Sequence, residues 1–477
     1  MSEASIALNR FGMGARASEG PPAAPRRMLI EQMERFSPLP AAVSAYPRTS
    51  ALAADLAAAY DAVQMQMRAA RRDGQNADAV TQAARQAARQ RGRDYYVQAV
   101  GVRAQAAVAS DTPFVERLVH FWANHFAVSA DKQIVVGLTG GFEFDAIRPH
   151  VLGKFRDMLH AVERHPAMLL YLDQAQSVGP NSPVGQRFTQ RQQGQASPRR
   201  IGLNENLARE IMELHTLGVR SVYSQADVTE FARAMTGWTV AGLGRGQGAR
   251  LAQASGEAGG FAFAPRIHEV GPRTIIGKRY DQQGEAQASA VLDDLAVHPA
   301  TAKHIATKLA RHFAGDEPPA ALIVRLETAF LRSGGDLPTV YRALIDAPEA
   351  WVPQPLKFKT PWEWSISTMR ALGTQEVPAQ AVLGLMNQLG QPVWRPGSPA
   401  GYDDIAASWA GPDAVMRRVE AAERFAARTR ETIDGRTRAA QLFPDALSAT
   451  TQQAIARAES PAQSVALMLV SPEFLRR

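Results

Sequence analysis

The stretch Asn204-Glu-Asn-Leu-Ala-Arg-Glu-Ile-Met-Glu-Leu-His-Thr-Leu-Gly218 decides the first reading of this chain. At 100° per residue, Leu207, Ala208, Ile211, Met212 and Leu214 share one arc, which predicts an amphipathic helix facing a core. Glu205, Arg209 and Glu213 follow at i, i+4 on the other side as an acid–base–acid ladder. Glu210 borders the apolar arc, and His215 falls inside it. Asn204 precedes the helix, and Gly218 reads as its C-terminal cap. Glu210, Glu213 and His215 have metal-like spacing, yet one straight helix cannot close them around an ion, so a metal would need ligands from a second element. The alternative is a buried, hydrogen-bonded histidine beside a solvated ladder.

Upstream, Thr112-Pro113 opens a second helix with a capping residue and a first-turn proline. Its string Phe-Val-Glu-Arg-Leu-Val-His-Phe-Trp-Ala-Asn-His-Phe is apolar over most of its circumference. One narrow polar stripe remains: Glu116, His120 and Asn124 at i, i+4, i+8, with Arg117 beside it. A carboxylate, an imidazole and an amide in a row form a workable acid/base relay. They can equally be a satisfied buried network. His125 falls on the apolar side and reads as structural.

A third helix carries His304, Lys308, Arg311 and His312 opposite Ile305, Leu309 and Phe313. This cationic stripe is a solvated face, or an anion site if it points inward. Ser224-x-x-Asp227 caps a further helix. Residues 51–109, rich in Ala, Gln and Arg, predict a long helical hairpin. Residues 173–203 predict a long mobile loop with a gating role. From 238 to 280 the pattern changes to short β-like pieces between glycine-rich turns, a small antiparallel insert. His268-Glu269 falls on a loop within it. The run from Pro392 to Trp409 is rich in Pro, Gly and aromatics, suited to lining a pocket or forming an interface.

The class is therefore mainly α, a multi-helical single unit. The chain has 477 residues, of which 45% are hydrophobic and 21% charged, which fits a globular protein. No apolar run approaches the roughly 20 residues that span a bilayer. Cysteine is absent, which removes disulfides and thiolate chemistry. The net charge of +7 comes with arginine-rich helices, but no nucleic-acid-binding signature accompanies them. The first residues show neither an apolar signal core nor a twin arginine, which predicts a cytoplasmic location.

Several strings together resemble a known bacterial family: Leu8-Asn-Arg-Phe-Gly, His120-Phe-Trp-Ala-Asn-His-Phe, the 204–218 stretch, Tyr223-Ser-Gln-Ala-Asp-Val, Ala234-Met-Thr-Gly-Trp, His268-Glu and Lys357-Phe-Lys-Thr-Pro. The chain is similar to the domain-of-unknown-function family 1800 over nearly its whole length. The resemblance implies a largely helical unit with no established reaction. It also implies a partner, a phosphatase- or sulfatase-like protein of family 1501 that is often encoded alongside. Such partners commonly carry a twin-arginine signal, which opens a second location, the periplasm by co-export.

Three functions compete. The first is an enzyme whose acid/base or metal site lies where the two polar helices meet, acting on a sugar, phosphate or sulfate ester. Glu116, His120, Asn124, Glu210, Glu213 and His215 would be catalytic, with a divalent metal as the cofactor if there is one. Asn204, Arg209, His268, Lys308, Arg311 and His312 would bind an anionic substrate. The second is a non-catalytic escort of the family 1501 protein. The third is a polyanion binder using the arginine-rich helices.

Overall fold

The structure is a computed structural model that describes residues 1–192, 202–243, 257–429 and 432–477. The described residues are mainly helical, with two small antiparallel two-stranded sheets. In the first sheet, Trp238↔Phe263 and Val240↔Phe261 pair. In the second, Arg273↔Tyr280 and Ile275↔Lys278 pair around a two-residue turn at Ile276-Gly277. Both turn residues have positive φ, +49° and +71°, the geometry of a tight hairpin turn. Asp227 secures this turn by accepting the Ile276 N–H at 2.7 Å. The strand region thus forms two separate hairpin-like pairs, and residues 244–256 of it lie outside the described residues.

The helix Pro361–Ala371 organises the interior. Every one of its residues is buried. Trp362, Ile366 and Met369 belong to the large core, which draws on most of the chain. Trp364 and Ala371 belong to a second core built with the helices Pro412–Arg428, Gly435–Leu442 and Pro461–Leu469. Its apolar side chains meet both cores, and its buried charged groups find partners, Glu363 on Arg117 and Arg370 on the Gly14 carbonyl. Thr360 and Glu363 form a capping box at its start, satisfying two otherwise unpaired N–H groups.

The helices Thr49–Arg72 and Ala77–Ala109 pack on one another as a hairpin. Their distal ends carry many exposed arginines. Within the 173–203 stretch, expected as a loop, there is a 3-10 turn at Gln174–Gln176 and a helix Pro183–Gln192. Ser182 starts that helix by accepting the Gly185 N–H at 3.1 Å. Its glutamines and arginines gave no apolar period, which hid it from sequence reading. Residues 193–201, where mobility was expected, lie outside the described residues.

The 204–218 stretch departs from a straight α-helix. It is α-helical at Asn206–Glu210, then widens to a π turn at Ile211–His215. Thr216 Oγ donates to the Ile211 carbonyl at 2.6 Å. The last carbonyls of such a helix need outside partners. Two imidazoles supply them. His304 Nε2 donates to the Leu214 carbonyl at 3.0 Å, and His125 Nε2 donates to the His215 carbonyl at 3.1 Å. His125 thus has the structural role its apolar position implied.

Two further histidines cap helices that begin with proline. The Ala167 N–H donates to His165 Nδ1 and the Ala300 N–H to His298 Nδ1, both at 3.1 Å. His165 Nε2 donates in turn to Thr49 Oγ at 3.1 Å. These histidines work as neutral rings. Burial pulls both His165 and His304 down to about 4, from the usual 6.5. As pH falls below about 6.5 the unfolded chain takes up these protons first and the folded chain does not. Stability is therefore full above that pH, falls between 6.5 and 4, and stops falling on their account below 4. Thermal melts across this window should show the decline, and His304→Asn, which keeps a donor but does not titrate, should flatten it; an unchanged slope would count against this assignment.

Candidate functional site

A cavity of about 340 Å³ lies where the helices Pro113–His125, Pro299–Ala314 and Pro361–Ala371 meet the loop of residues 391–405. Its lining mixes cations (Arg103, Arg117, Lys308, Arg311), imidazoles (His120, His125, His312), carboxylates (Glu363, Asp404) and the aromatics Trp362, Trp394 and Tyr402. That size suits a small molecule.

His312 and Asp404 form the most informative pair. His312 Nδ1 lies 2.8 Å from Asp404 Oδ2. A carboxylate at that distance fixes the proton on Nδ1, leaving Nε2 as the basic nitrogen. Nε2 is buried and has no hydrogen-bond partner among the described residues. Burial holds the imidazole below its usual value against the pull of Asp404, so the ring is neutral near pH 7. Burial alone would raise Asp404; His312, Lys357 and Arg477 outweigh it and hold the carboxyl below the ordinary range. Lys357 sits 2.8 Å from Asp316 and 3.2 Å from Asp404.

Cations crowd the same space. Arg117 is buried, donates from Nε to the Gly12 carbonyl at 2.8 Å and pairs through Nη1 with Glu363. Its Nη2 has no partner among the described residues. Burial lowers its guanidinium to about 10, which leaves it charged. Lys308 is half-buried and has no hydrogen bond or ion pair among the described residues. Burial pulls its amine down to about 8, with Asp404 opposing and Arg311 adding. Arg103 lies between two indoles, its guanidinium carbon 4.4 Å from the Trp362 ring centre and 5.2 Å from that of Trp394. Glu143 holds it from below at 2.9 Å. Such a sandwiched guanidinium is a fixed positive wall.

Asn124 positions the loop that brings Asp404. Its Nδ2 donates to the Tyr402 carbonyl at 2.8 Å, and its Oδ1 accepts the Tyr402 N–H at 2.7 Å. The amide thus pairs with the loop as a neighbouring strand would. Gly401 makes this approach feasible: its φ is +81°, and a Cβ there would lie 2.2 Å from the Asn124 carbonyl oxygen.

The expected site residues separate into three places. His120, Asn124, Lys308, Arg311 and His312 meet at the cavity. Of these, His120 accepts from Trp362 Nε1 at 3.1 Å through Nδ1, and its Nε2 faces Glu116 at 3.6 Å. Burial, with Arg103, Arg148 and Arg117 nearby, holds it neutral, well below the usual value. Glu116 is fully engaged by Arg148, at 2.7 and 3.0 Å. His215 is buried elsewhere, its Nδ1 2.7 Å from Glu163.

The remaining residues lie away from the cavity. Asn204 Nδ2 donates to the carbonyls of Leu172 and Asp173. Arg209 joins Glu205 and Gln225, and Thr229 donates to Glu205 at 2.7 Å. Burial raises Glu210 above its usual value. Glu210 and Glu213 do not line the cavity. His268 accompanies Thr236, 2.8 Å from its carbonyl. The polar stripe of Pro113–His125 and the 205–213 ladder therefore face different neighbours. The two helices touch instead through His125 and the His215 carbonyl, while His120 and Asn124 of the stripe line the cavity. Among the described residues, no group of three or more His, Asp or Glu side chains is arranged to hold a metal ion.

Sequence reasoning missed Asp404, Glu363, Arg103 and Trp362. Nothing in the local pattern singled out Glu363 or Asp404. In the aromatic run from Pro392 to Trp409, expected to line a pocket or form an interface, Trp394 and Trp409 are buried and Trp394 lines the cavity, while Arg395, Ser398 and Asp403 are exposed.

The family profile described as "Protein of unknown function (DUF1800)" matches residues 6–476. The chain belongs to this family. No curated protein and no solved structure matches it. The family description assigns no reaction, so the cavity itself must carry the functional argument. No helix among the described residues is long and apolar enough to cross a membrane.

Removing the Asn124 amide leaves the Tyr402 N–H and carbonyl unpaired in a part-buried place, which costs roughly 1–3 kcal/mol per group. Asn124→Ala should lower the urea midpoint, and Gly401→Ala should do the same through its clash. An Asn124→Ala protein as stable as the parent would show that the loop is held by other contacts.

Proposed function

We propose that the protein is an enzyme of the acid/base type, in which His312 is the general base, Asp404 orients it, and an anionic substrate sits among Arg117, Lys308 and Arg311. The observation that carries this reading is the His312–Asp404 pair with an unpartnered Nε2 in a cation-lined cavity. A neutral imidazole whose other nitrogen is tied to a carboxylate takes a proton from water or a hydroxyl group. The unpartnered Nη2 of Arg117 and the free Lys308 amine would neutralise charge on the substrate and on the transition state. Hydrolysis or transfer on a phosphate, sulfate or anionic sugar ester fits this equipment. The expected roles of His312 and His120 thereby exchange: His312 becomes the base, and His120 supports Trp362 at the wall.

The test is a panel of chromogenic phosphate monoesters, sulfate monoesters and uronic-acid glycosides, run with the parent, His312→Gln and Asp404→Asn. Turnover of at least one ester should fall by about 10²–10⁴-fold in His312→Gln. Because burial holds His312 below 6.5, the rate should be level at neutral pH and fall as pH drops through the folded value of this ring. A panel with no turnover and no saturable binding of inorganic phosphate or sulfate would end this reading, and so would a His312→Gln enzyme with the parent rate.

A further inference from the structure

Lys308 stands four residues before His312 on the helix Pro299–Ala314, so the two side chains are neighbours on one face. Both line the cavity, and the carboxylate on His312 is Asp404. Among the described residues Lys308 has neither an ion pair nor a hydrogen bond, whereas Arg117 pairs with Glu363, Arg103 pairs with Glu143 and Arg311 donates to the Asp316 carbonyl. Burial of this amine, with no carboxylate at ion-pair distance, favours its uncharged, nucleophilic form; Arg311 adds to this and Asp404 opposes it. A purely electrostatic cation would gain from a paired carboxylate; this one is left open toward the cavity with a proton acceptor one turn away. Arg117 and Arg311 line the same cavity and would hold a charged group on the incoming molecule.

We infer that Lys308 forms a reversible imine with a carbonyl compound that also carries an anionic group, a carboxylate or a phosphate. The Nζ lone pair attacks the carbonyl carbon, and the C=O electron pair moves to oxygen. Both Nζ protons then pass, one at a time, through His312 Nε2 to that oxygen. The C–O bond breaks, water leaves, and a C=N bond remains; no oxidant or reductant is needed. This inference shares the cavity with the acid/base reading and uses His312 as the proton carrier in place of the base for ester chemistry.

The experiment uses the full chain, pyridoxal 5′-phosphate as the probe, and borohydride to trap the imine, with the labelled lysines mapped by peptide mass. Lys303 is exposed on the same helix and serves as the internal reference. Lys308 should be labelled roughly tenfold or more faster than Lys303 near pH 7.5, because burial leaves a far larger share of its amine uncharged there than of an ordinary lysine's. Pyridoxal, which lacks the phosphate, should label Lys308 more slowly than its phosphate does. His312→Gln should slow trapping at Lys308 and leave Lys303 unchanged. Lys308→Arg should remove the fast phase; the parent's own labelling map decides the matter if that variant fails to fold.

Labelling of Lys303 as fast as Lys308 would overturn the imine, and equal rates with pyridoxal and its phosphate would overturn the anionic class of the ligand. The two readings can fail separately. An unlabelled Lys308 beside His312-dependent ester turnover would remove the imine and keep the base. Fast trapping at Lys308 beside ester turnover indifferent to His312→Gln would do the reverse.

Discussion

The carboxylate of Glu363 receives three demands at once. It accepts the Thr360 N–H at 2.9 Å and so closes the capping box of the central helix. It pairs with Arg117 from the helix Pro113–His125. It also lies 2.9 Å from Arg477 Nη2. Burial alone would raise its pKa, yet Arg477 and Arg117 hold it well below the ordinary carboxylate value. A buried charge of this kind is costly unless paired. Here the pairing ties together segments from the middle and the far end of the chain. Those segments enclose the cavity, so the charge balance around Glu363 fixes where Arg117 stands and which of its nitrogens is left over.

That leftover is the link between packing and chemistry. Arg117 uses Nε on the Gly12 carbonyl and Nη1 on Glu363, which leaves Nη2 facing no partner. His312 uses Nδ1 on Asp404, which leaves Nε2. In each case one nitrogen anchors the side chain, and the other is held rigid and unsatisfied. Unsatisfied buried polar atoms cost stability, so a fold keeps them where something else gains from them. The same logic separates the cavity from the Glu205–Arg209–Gln225–Thr229 network, whose members satisfy one another.

The helical class was legible because the apolar periods of 113–125, 204–218 and 299–314 repeat at helical spacing. The cationic stripe at 304–312 was legible as a stripe, but a helix face looks the same in sequence whether it meets water or a cavity. The 204–218 stretch drew attention through its density of charge; of its charged groups, Glu205 and Arg209 join Gln225 and Thr229, and Glu210 and Glu213 do not line the cavity. The partner that gives His312 its role lies 92 residues away, and no local spacing can reveal such a pairing. Trp362 lies in the core and Glu363 caps its helix; their further contribution to the cavity depends on which helix passes beside them.

The amide bridge from Asn124 to Tyr402 spans 278 residues of sequence. Closing chain segments of that length costs conformational entropy that grows with the logarithm of the span. Contacts of this kind form late relative to local helices. The individual helices of the cavity can therefore exist before the cavity does, since each is stabilised by its own neighbours. The His312–Asp404 pair cannot, because Asp404 arrives on a loop whose place is set by a helix from the first third of the chain. The site is thus a property of the completed fold, present only when segments 278 residues apart in sequence have met.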